Sequence, residues 1–285
     1  MPVVKQLVIY PVKSLSGISV REAEVTPSGL KYDRNWMVTD DSGLFITQRD
    51  LPSLAAINVD FSSDEMKFKD SHGEVFHIPL QSPSRKEVTV EIWGDQCRAF
   101  DEGDDASNWL TEKTGRFKGK KLRLMNFDNR FRRNVDASYL KGEDSHTAFA
   151  DGFPYLITSD YSLNRLNERL IESGSDPVPM SRFRPNIVLT GLEAFMENRI
   201  DEIYSKKTGY RLGLRKPCKR CKVTTVDQNT GIIKEHREPL RTLTLMNTIP
   251  QLHGAYFGQN ATLLSKDCGI IRLGDQLNFS LKPDN

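Results

Sequence analysis

Along the first hundred residues, apolar and β-branched positions fall into short runs separated by polar turn clusters. Runs at 3–12, 19–25, 36–39, 57–61, 75–78 and 88–93 predict strands, with turns at Asp41-Ser42-Gly43 and Ser71-His72-Gly73. Short strands at this spacing predict an antiparallel barrel or sandwich. A short helix is expected at 104–110 and a strand at 122–125. The polar, aperiodic stretch 126–147 predicts a long loop of the kind that carries function. Leu163, Leu166 and Leu170 then recur at helical spacing. Thr158 or Ser159 can cap that helix, Gly174 can end it, and its free N–H groups form a natural anion site. Strands are expected at 187–190, 210–215 and 221–227, the last two bracketing a cysteine pair as a wide hairpin. Residues 270–273 and 276–281 predict a tight hairpin around Gly274-Asp275. The fold class is mixed, β-rich α+β: an N-terminal antiparallel β-barrel-like domain (1–104) packed on a second β-barrel domain (105–285) with a few helices and no flexible linker.

Length and composition narrow this picture. A chain of 285 residues, 38% hydrophobic, buries a substantial core and makes one large or two moderate domains. A net charge of +2 gives no whole-molecule attraction to nucleic acid or membrane. Four cysteines do not make a disulfide framework, so a reducing compartment is expected. The start lacks the basic-then-apolar order of a signal peptide, and no apolar run approaches the roughly 18 residues that span a bilayer. A cytoplasmic protein with neither nucleic-acid nor membrane partners is the expectation.

The chemistry concentrates at Cys218 and Cys221. Lys206, Lys207, Arg211, Arg215, Lys216, Lys219, Arg220 and Lys222 surround them in sequence, with no acidic residue between Ile203 and Val226. Cationic neighbours lower a thiol pKa, and a thiolate is a soft-metal ligand or nucleophile. The same charges suit an anion such as a phosphate. A zinc site lacks further ligands at suitable spacing, since Cys97 and Cys268 stand alone and His236 and His253 do not pair. A thioredoxin-like pair needs a helix after its first cysteine, where a strand is expected here. Two packed, inert thiols are the plain alternative. Arg130, Arg132 and Arg133 form a second basic cluster, which reads as a solvated face.

Seven motifs in order carry a resemblance. They are Tyr10-Pro11-Val12-Lys13-Ser14, Asp33-Arg34-Asn35-Trp36, Thr47-Gln48-Arg49, Asp151-Gly152-Phe153-Pro154-Tyr155-Leu156, Phe183-Arg184-Pro185-Asn186, Cys218-Lys219-Arg220-Cys221 and Phe257-Gly258-Gln259-Asn260. Together the chain resembles the MOSC family of molybdenum cofactor proteins, in the branch with an N-terminal β-barrel region that includes amidoxime-reducing components and bacterial reductases of N-hydroxylated bases. The resemblance implies that Cys221 is the catalytic residue and the protein thiolate on molybdenum. It implies that Lys13, Ser14, Arg34, Thr158, Ser159, Arg184, Asn186, Lys219, Arg220 and Asn260 hold the pterin cofactor and its phosphate, with Cys218 only a nearby thiol. It implies reduction of small N-hydroxylated substrates such as amidoximes and hydroxylamines. Mitochondrial relatives carry a tyrosine at the position of Asn260. Some bacterial relatives continue into a ferredoxin, whose Cys-x₄-Cys-x₂-Cys spacing is missing here. No iron–sulfur cluster is therefore expected in this chain, and electrons are expected from a separate ferredoxin- or flavoprotein-type donor. The alternative implied is a molybdenum cofactor carrier, or a sulfur-transfer protein working through Cys221.

Overall fold

Strands dominate, and they sort into two larger sheets with smaller ones around them. The structure, a computed structural model, describes residues 1–81, 85–265 and 268–283. The largest sheet has eight strands in the order Ile18–Val20, Val3–Ile9, Ile187–Thr190, Tyr155–Ser159, Tyr256–Leu263, Arg211–Lys219, Ile200–Tyr204 and Asn278–Leu281. All its pairings are antiparallel except that between Tyr155–Ser159 and Ile187–Thr190. The helices α1 (Asp104–Thr114), α2 (Asp160–Glu172) and α3 (Leu240–Met246) are the α-helices of the described residues. A parallel pair needs a crossover, and α2 supplies it.

A four-stranded sheet follows the order Trp36–Asp40, Leu122–Phe127, Asp95–Asp101 and Lys86–Ile92. The chain passes between the two sheets more than once: Val3–Ile9 lies in the larger, while Leu122–Phe127 lies in the smaller. Leu7, Ile157, Ile187, Leu212 and Ala261 fill the core of the eight-stranded sheet. Trp36, Val38, Phe68, Leu110 and Leu124 fill the other, closed by the inner face of α1. Full burial of a large apolar side chain contributes about 1.5–3 kcal/mol, so these clusters hold the frame on which the site sits. Leu166 and Leu170 of α2 pack with Leu243 of α3 and Phe257, the core role their spacing predicts.

Several expectations change. Strands at Glu65–Lys69 and Asp95–Asp101 escaped the reading, because their outward positions are charged and only Met66, Phe68, Cys97 and Ala99 point inward. The stretch 126–147 is not one loop: Arg133–Asn134 pairs with His146–Thr147, and Ala137–Tyr139 makes a 3-10 turn. The C-terminal hairpin does not form. Gly269–Arg272 pairs with Glu22–Thr26, and Asn278–Leu281 pairs with Ile200–Tyr204. The turn at Gly274-Asp275 thus joins two different sheets.

Candidate functional site

The strand Arg211–Lys219 carries the first cysteine and ends just before the second. Its pairing with Tyr256–Leu263 slips between Leu214 and Lys216, and again between Pro217 and Lys219. Bulges re-aim side chains, and a bulge is also where a strand tolerates proline. Cys218 sits on the second irregularity. Its neighbour in the motif is not followed by a strand: Lys222–Thr225 forms a 3-10 turn. The reason is local. Thr224 donates from both N and Oγ1 to Cys221 O (3.0 and 2.9 Å), and Thr225 Oγ1 donates to Lys222 O (2.8 Å). These hydroxyl bonds to the preceding turn override the β preference of the Val-Thr-Thr-Val run. Arg182 closes the turn by donating to Thr225 O (2.6 Å). Cys221 is left exposed.

The two thiols differ. Burial pushes the Cys218 thiol up, more than Arg220 lowers it, although Arg220 Nη1 donates to its Sγ at 2.8 Å. The expected lowering of its pKa by surrounding cations is therefore reversed at Cys218. The basic run also disperses. Arg215 is locked to Glu143 (2.5 Å) and Asp201 (3.0 Å), Arg211 pairs with Glu202, and Lys216 lies over the Tyr139 ring. The second basic cluster is neutralised as well: Arg130 by Asp128, Arg132 by Asp144 and Arg133 by Asp95.

The cations that do converge gather around Tyr10. Guanidinium groups of Arg34 and Arg184 lie over its ring, 4.2 and 4.3 Å from the centroid. Asp33 anchors the stack: it accepts from Tyr10 N (2.8 Å) and from Arg34 Nη1 (2.6 Å). Arg34 Nη2 in turn donates to Arg184 O (3.0 Å), holding Arg184 at φ 53° in left-handed backbone. Gln48 and Gln228 exchange amide bonds. Gln48 also donates to Ser14 O (2.7 Å), and Gln228 accepts from Arg184 Nη1 (2.9 Å). Ser14 and Arg184 are thus positioned by one buried amide pair. Burial pulls Arg184 down to about 10, so it stays charged at neutral pH, and among the described residues no carboxylate hydrogen-bonds to it. Its Nη2 has no partner among them, nor has the buried Nε of Arg220. Lys13 lies alongside, ion-paired to Asp151 and donating to Phe149 O (3.0 Å). Burial pulls its ammonium below the usual lysine range, against Asp151.

Other sequence candidates lie differently. Asn186 is buried and spends its amide on Leu156 N (3.1 Å) and Val8 O (3.3 Å), stitching three strands behind the stack. Thr158 Oγ1 turns to Met180 Sδ (3.4 Å), and Ser159 Oγ is buried without a partner among the described residues. The α2 N-terminus carries a buried acidic side chain of its own. Glu197 accepts there from Ser162 Oγ (2.8 Å), while its Oε1 has no partner among the described residues. Lys219 is exposed beside Gly254, and Asn260 is half-buried opposite Lys216 and Leu156. Sequence reading passed over Tyr10, Asp33, Gln228 and Trp93. Only Tyr10 and Asp33 lay inside quoted motifs.

Two family models divide the chain: the MOSC N-terminal beta barrel domain matches residues 1–116, and the MOSC domain matches residues 144–278. Mitochondrial amidoxime-reducing component 1 of Xenopus laevis is 33% identical, over 96% of this chain and 80% of its own length. The chain belongs to the MOSC family. The human protein of that name is 32% identical over 95% of this chain. A bovine molybdenum cofactor sulfurase is 28% identical over 98% of this chain, which spans 32% of that longer relative. MOSC membership associates the chain with the molybdenum cofactor, and the residues around Tyr10 and Cys221 can be tested against that group. Buried donors without acceptors cost about 1–3 kcal/mol each, so native structures rarely leave them. Arg184 Nη2, Arg220 Nε and Ser159 Oγ are such donors, two of them cationic. With an exposed thiol in the same stretch of chain, this donor set fits an anionic, oxygen-rich group bearing a soft metal.

Proposed function

We propose that this MOSC protein is a molybdenum-dependent reductase of small N-hydroxylated compounds, fed by a separate electron-donor protein. The observation that carries the reading is the guanidinium of Arg184, buried beside Arg34, with no carboxylate hydrogen-bonded to it and no partner for Nη2 among the described residues. A buried charge of this kind calls for a counterion, and a cofactor phosphate supplies one. Arg184, Arg220, Lys13, Ser14 and the exposed Lys219 would grip that phosphate and the pterin. Arg34 would keep Arg184 in its left-handed conformation, and Asn186 would fix the strands beneath. Thr158, Ser159 and Asn260 would line the far side. Cys221, exposed after the bulged strand, would be the thiolate on the metal. Such a cofactor, when bound, supplies the two-electron chemistry that removes oxygen from an N–OH group. The chain's own work is orientation, charge and access. No helix among the described residues is long and apolar enough to cross a membrane. A cytoplasmic location stays our proposal, since several relatives carry mitochondrial names, and cell fractionation decides it.

The test combines elemental analysis for molybdenum with benzamidoxime reduction by a chemically reduced dye. Molybdenum-loaded protein that does not turn over sinks the reductase reading. A second reading, cofactor carriage or sulfur transfer through Cys221, draws on the exposure of that thiol and on the sulfurase relative. Cyanide-labile sulfur on Cys221, in protein silent toward benzamidoxime, would favour it.

A further inference from the structure

Trp93 stands in a backbone conformation that costs it energy. It forms, with Gly94, the two-residue loop joining Lys86–Ile92 to Asp95–Asp101. Both loop residues have positive φ, 55° and 88°. This loop favours Asn-Gly, and a bulky residue at positive φ is a genuine outlier. The indole gains little packing in return, being 44% exposed where Trp36 and Trp109 are 2% and 8%. Strain kept at a side chain left this exposed points to a task for it.

What surrounds the indole suggests that task. Its Nε1 donates to Asp151 Oδ1 at 3.3 Å, the oxygen that also takes the Lys13 ammonium. Asp151 Oδ2 has no protein partner among the described residues, and the carboxylate is 78% exposed. The Arg49 guanidinium lies over the indole ring, 4.4 Å from the centroid, with Phe45 packed at 4.7 Å. The molecule thus already places one planar cation on this aromatic face. Lys13 connects the arrangement to the Tyr10 stack, and the charge of Asp151 reaches the Cys218 thiol.

We propose that Trp93 and the outward oxygen of Asp151 form a subsite for planar, delocalised cations, which takes the amidinium or guanidinium end of the reaction's ligands. The chemistry matches: an aromatic face attracts such a cation, and a carboxylate oxygen accepts its in-plane N–H. Arg49 is the internal occupant that an arriving cation displaces. This assignment rests on the reductase reading for its biological ligand, but not for the binding it predicts.

Benzamidine is the probe and neutral benzamide its control, each titrated into the purified protein by tryptophan fluorescence and by calorimetry. Trp93 is the exposed indole, so saturable quenching by benzamidine is expected, with benzamide at least about tenfold weaker. Asp151→Asn should weaken benzamidine about tenfold. Arg49→Ala should tighten it, because the competitor is gone. Trp93→Asn installs the preferred turn residue, so it should raise Tm while weakening benzamidine in calorimetry. Equal binding of benzamide and benzamidine overturns the proposal, as does a Trp93→Asn protein that keeps full affinity. A Trp93→Asn protein with lower Tm also overturns it, since packing would then explain the indole. Turnover of benzamidoxime in the same preparation separates the two readings. Discrimination without turnover sinks only the reductase, and turnover without discrimination sinks only the subsite.

Discussion

At the N-terminus of α2 the buried Glu197 accepts from Ser162 Oγ, while at the Tyr10 stack Arg184 Nη2 has no acceptor among the described residues. Both regions are buried, and both are built around the attraction of one charge for oriented opposite partners. In the first the carboxyl group is part of the chain and sits where it helps hold the α2 crossover. In the second the cations outnumber their counterions. Asp33 answers Arg34 and Asp151 answers Lys13, yet the Arg184 guanidinium hydrogen-bonds only the neutral Gln228 among the described residues. A helix terminus with its free N–H groups is the better-known anion site. On our proposal the less regular region is the one left open for a ligand.

The comparison predicts its largest effect beside the open region. Cys221→Ser should cut benzamidoxime turnover by more than the roughly 10–100-fold that outer partners of a metal site are worth. Cys218→Ser should stay within about tenfold, because a serine oxygen can still accept from Arg220, as charge-assisted bonds ask. Equal losses would break the distinction between the thiols. Next comes Arg184→Met. Removing a buried charge that lacks an ion-pair partner should leave the Tm of cofactor-free protein unchanged or higher. Cofactor retention, read as molybdenum per chain, should fall at least about tenfold. A large loss of Tm would make Arg184 a structural residue, and the two regions would then be alike.

Much of this was readable beforehand wherever a residue's role follows from its immediate neighbours. The strand at Ile187–Thr190 and the leucine stripe of α2 follow from composition and period, whereas α2 starts after Ser159 without the capping hydrogen bond expected of its hydroxyl. So did the gathering of Lys13, Arg34, Arg184 and Arg220, though from ordered motifs rather than from spacing. What misled was charge counted along the chain. Arg211 and Arg215 neighbour the cysteines in sequence, but alternation along a strand and long-range carboxylates carry them elsewhere. Glu197 lies 37 residues beyond Asp160 in sequence, and no local signal announces that it closes the α2 terminus. Trp93 was invisible for a different reason. A tryptophan ahead of a glycine reads as the end of a strand, and only its φ exposes the cost.

Glu197 offers a pH test of the closed region. Burial, against Ser162 and the backbone donors, raises its pKa from 4.5 to about 7. From about pH 4.5 to about pH 7 the folded chain keeps a proton that the unfolded chain has lost. Stability from this group is therefore complete below about pH 4.5, falls as pH rises through the window, and is gone above it. At 1.36 kcal/mol per unit the swing is roughly 3 kcal/mol. Glu197→Gln should flatten the profile of Tm against pH and raise Tm most above pH 7. Molybdenum content should not change. A loss of cofactor in Glu197→Gln would mean that the helix terminus does reach the ligand.

The smallest effect sharpens the boundary of the open region. Thr224 is fully buried and bonds Cys221 O twice, through N and through Oγ1. Thr224→Val keeps the shape and the backbone bond and removes only the hydroxyl, a loss of about 0.5–1.5 kcal/mol. For a chain of this size that is a fall of about 2–4 °C in Tm per kcal/mol. The consequence for Cys221 is larger than the energy suggests. A Val-Val-Thr-Val run has still more β preference, and the 3-10 turn is what ends the strand before the thiol. Turnover should therefore fall several-fold while molybdenum stays bound. If turnover is unchanged, the turn is held instead by Arg182 on Thr225 O, and Arg182→Met becomes the variant that moves the thiol.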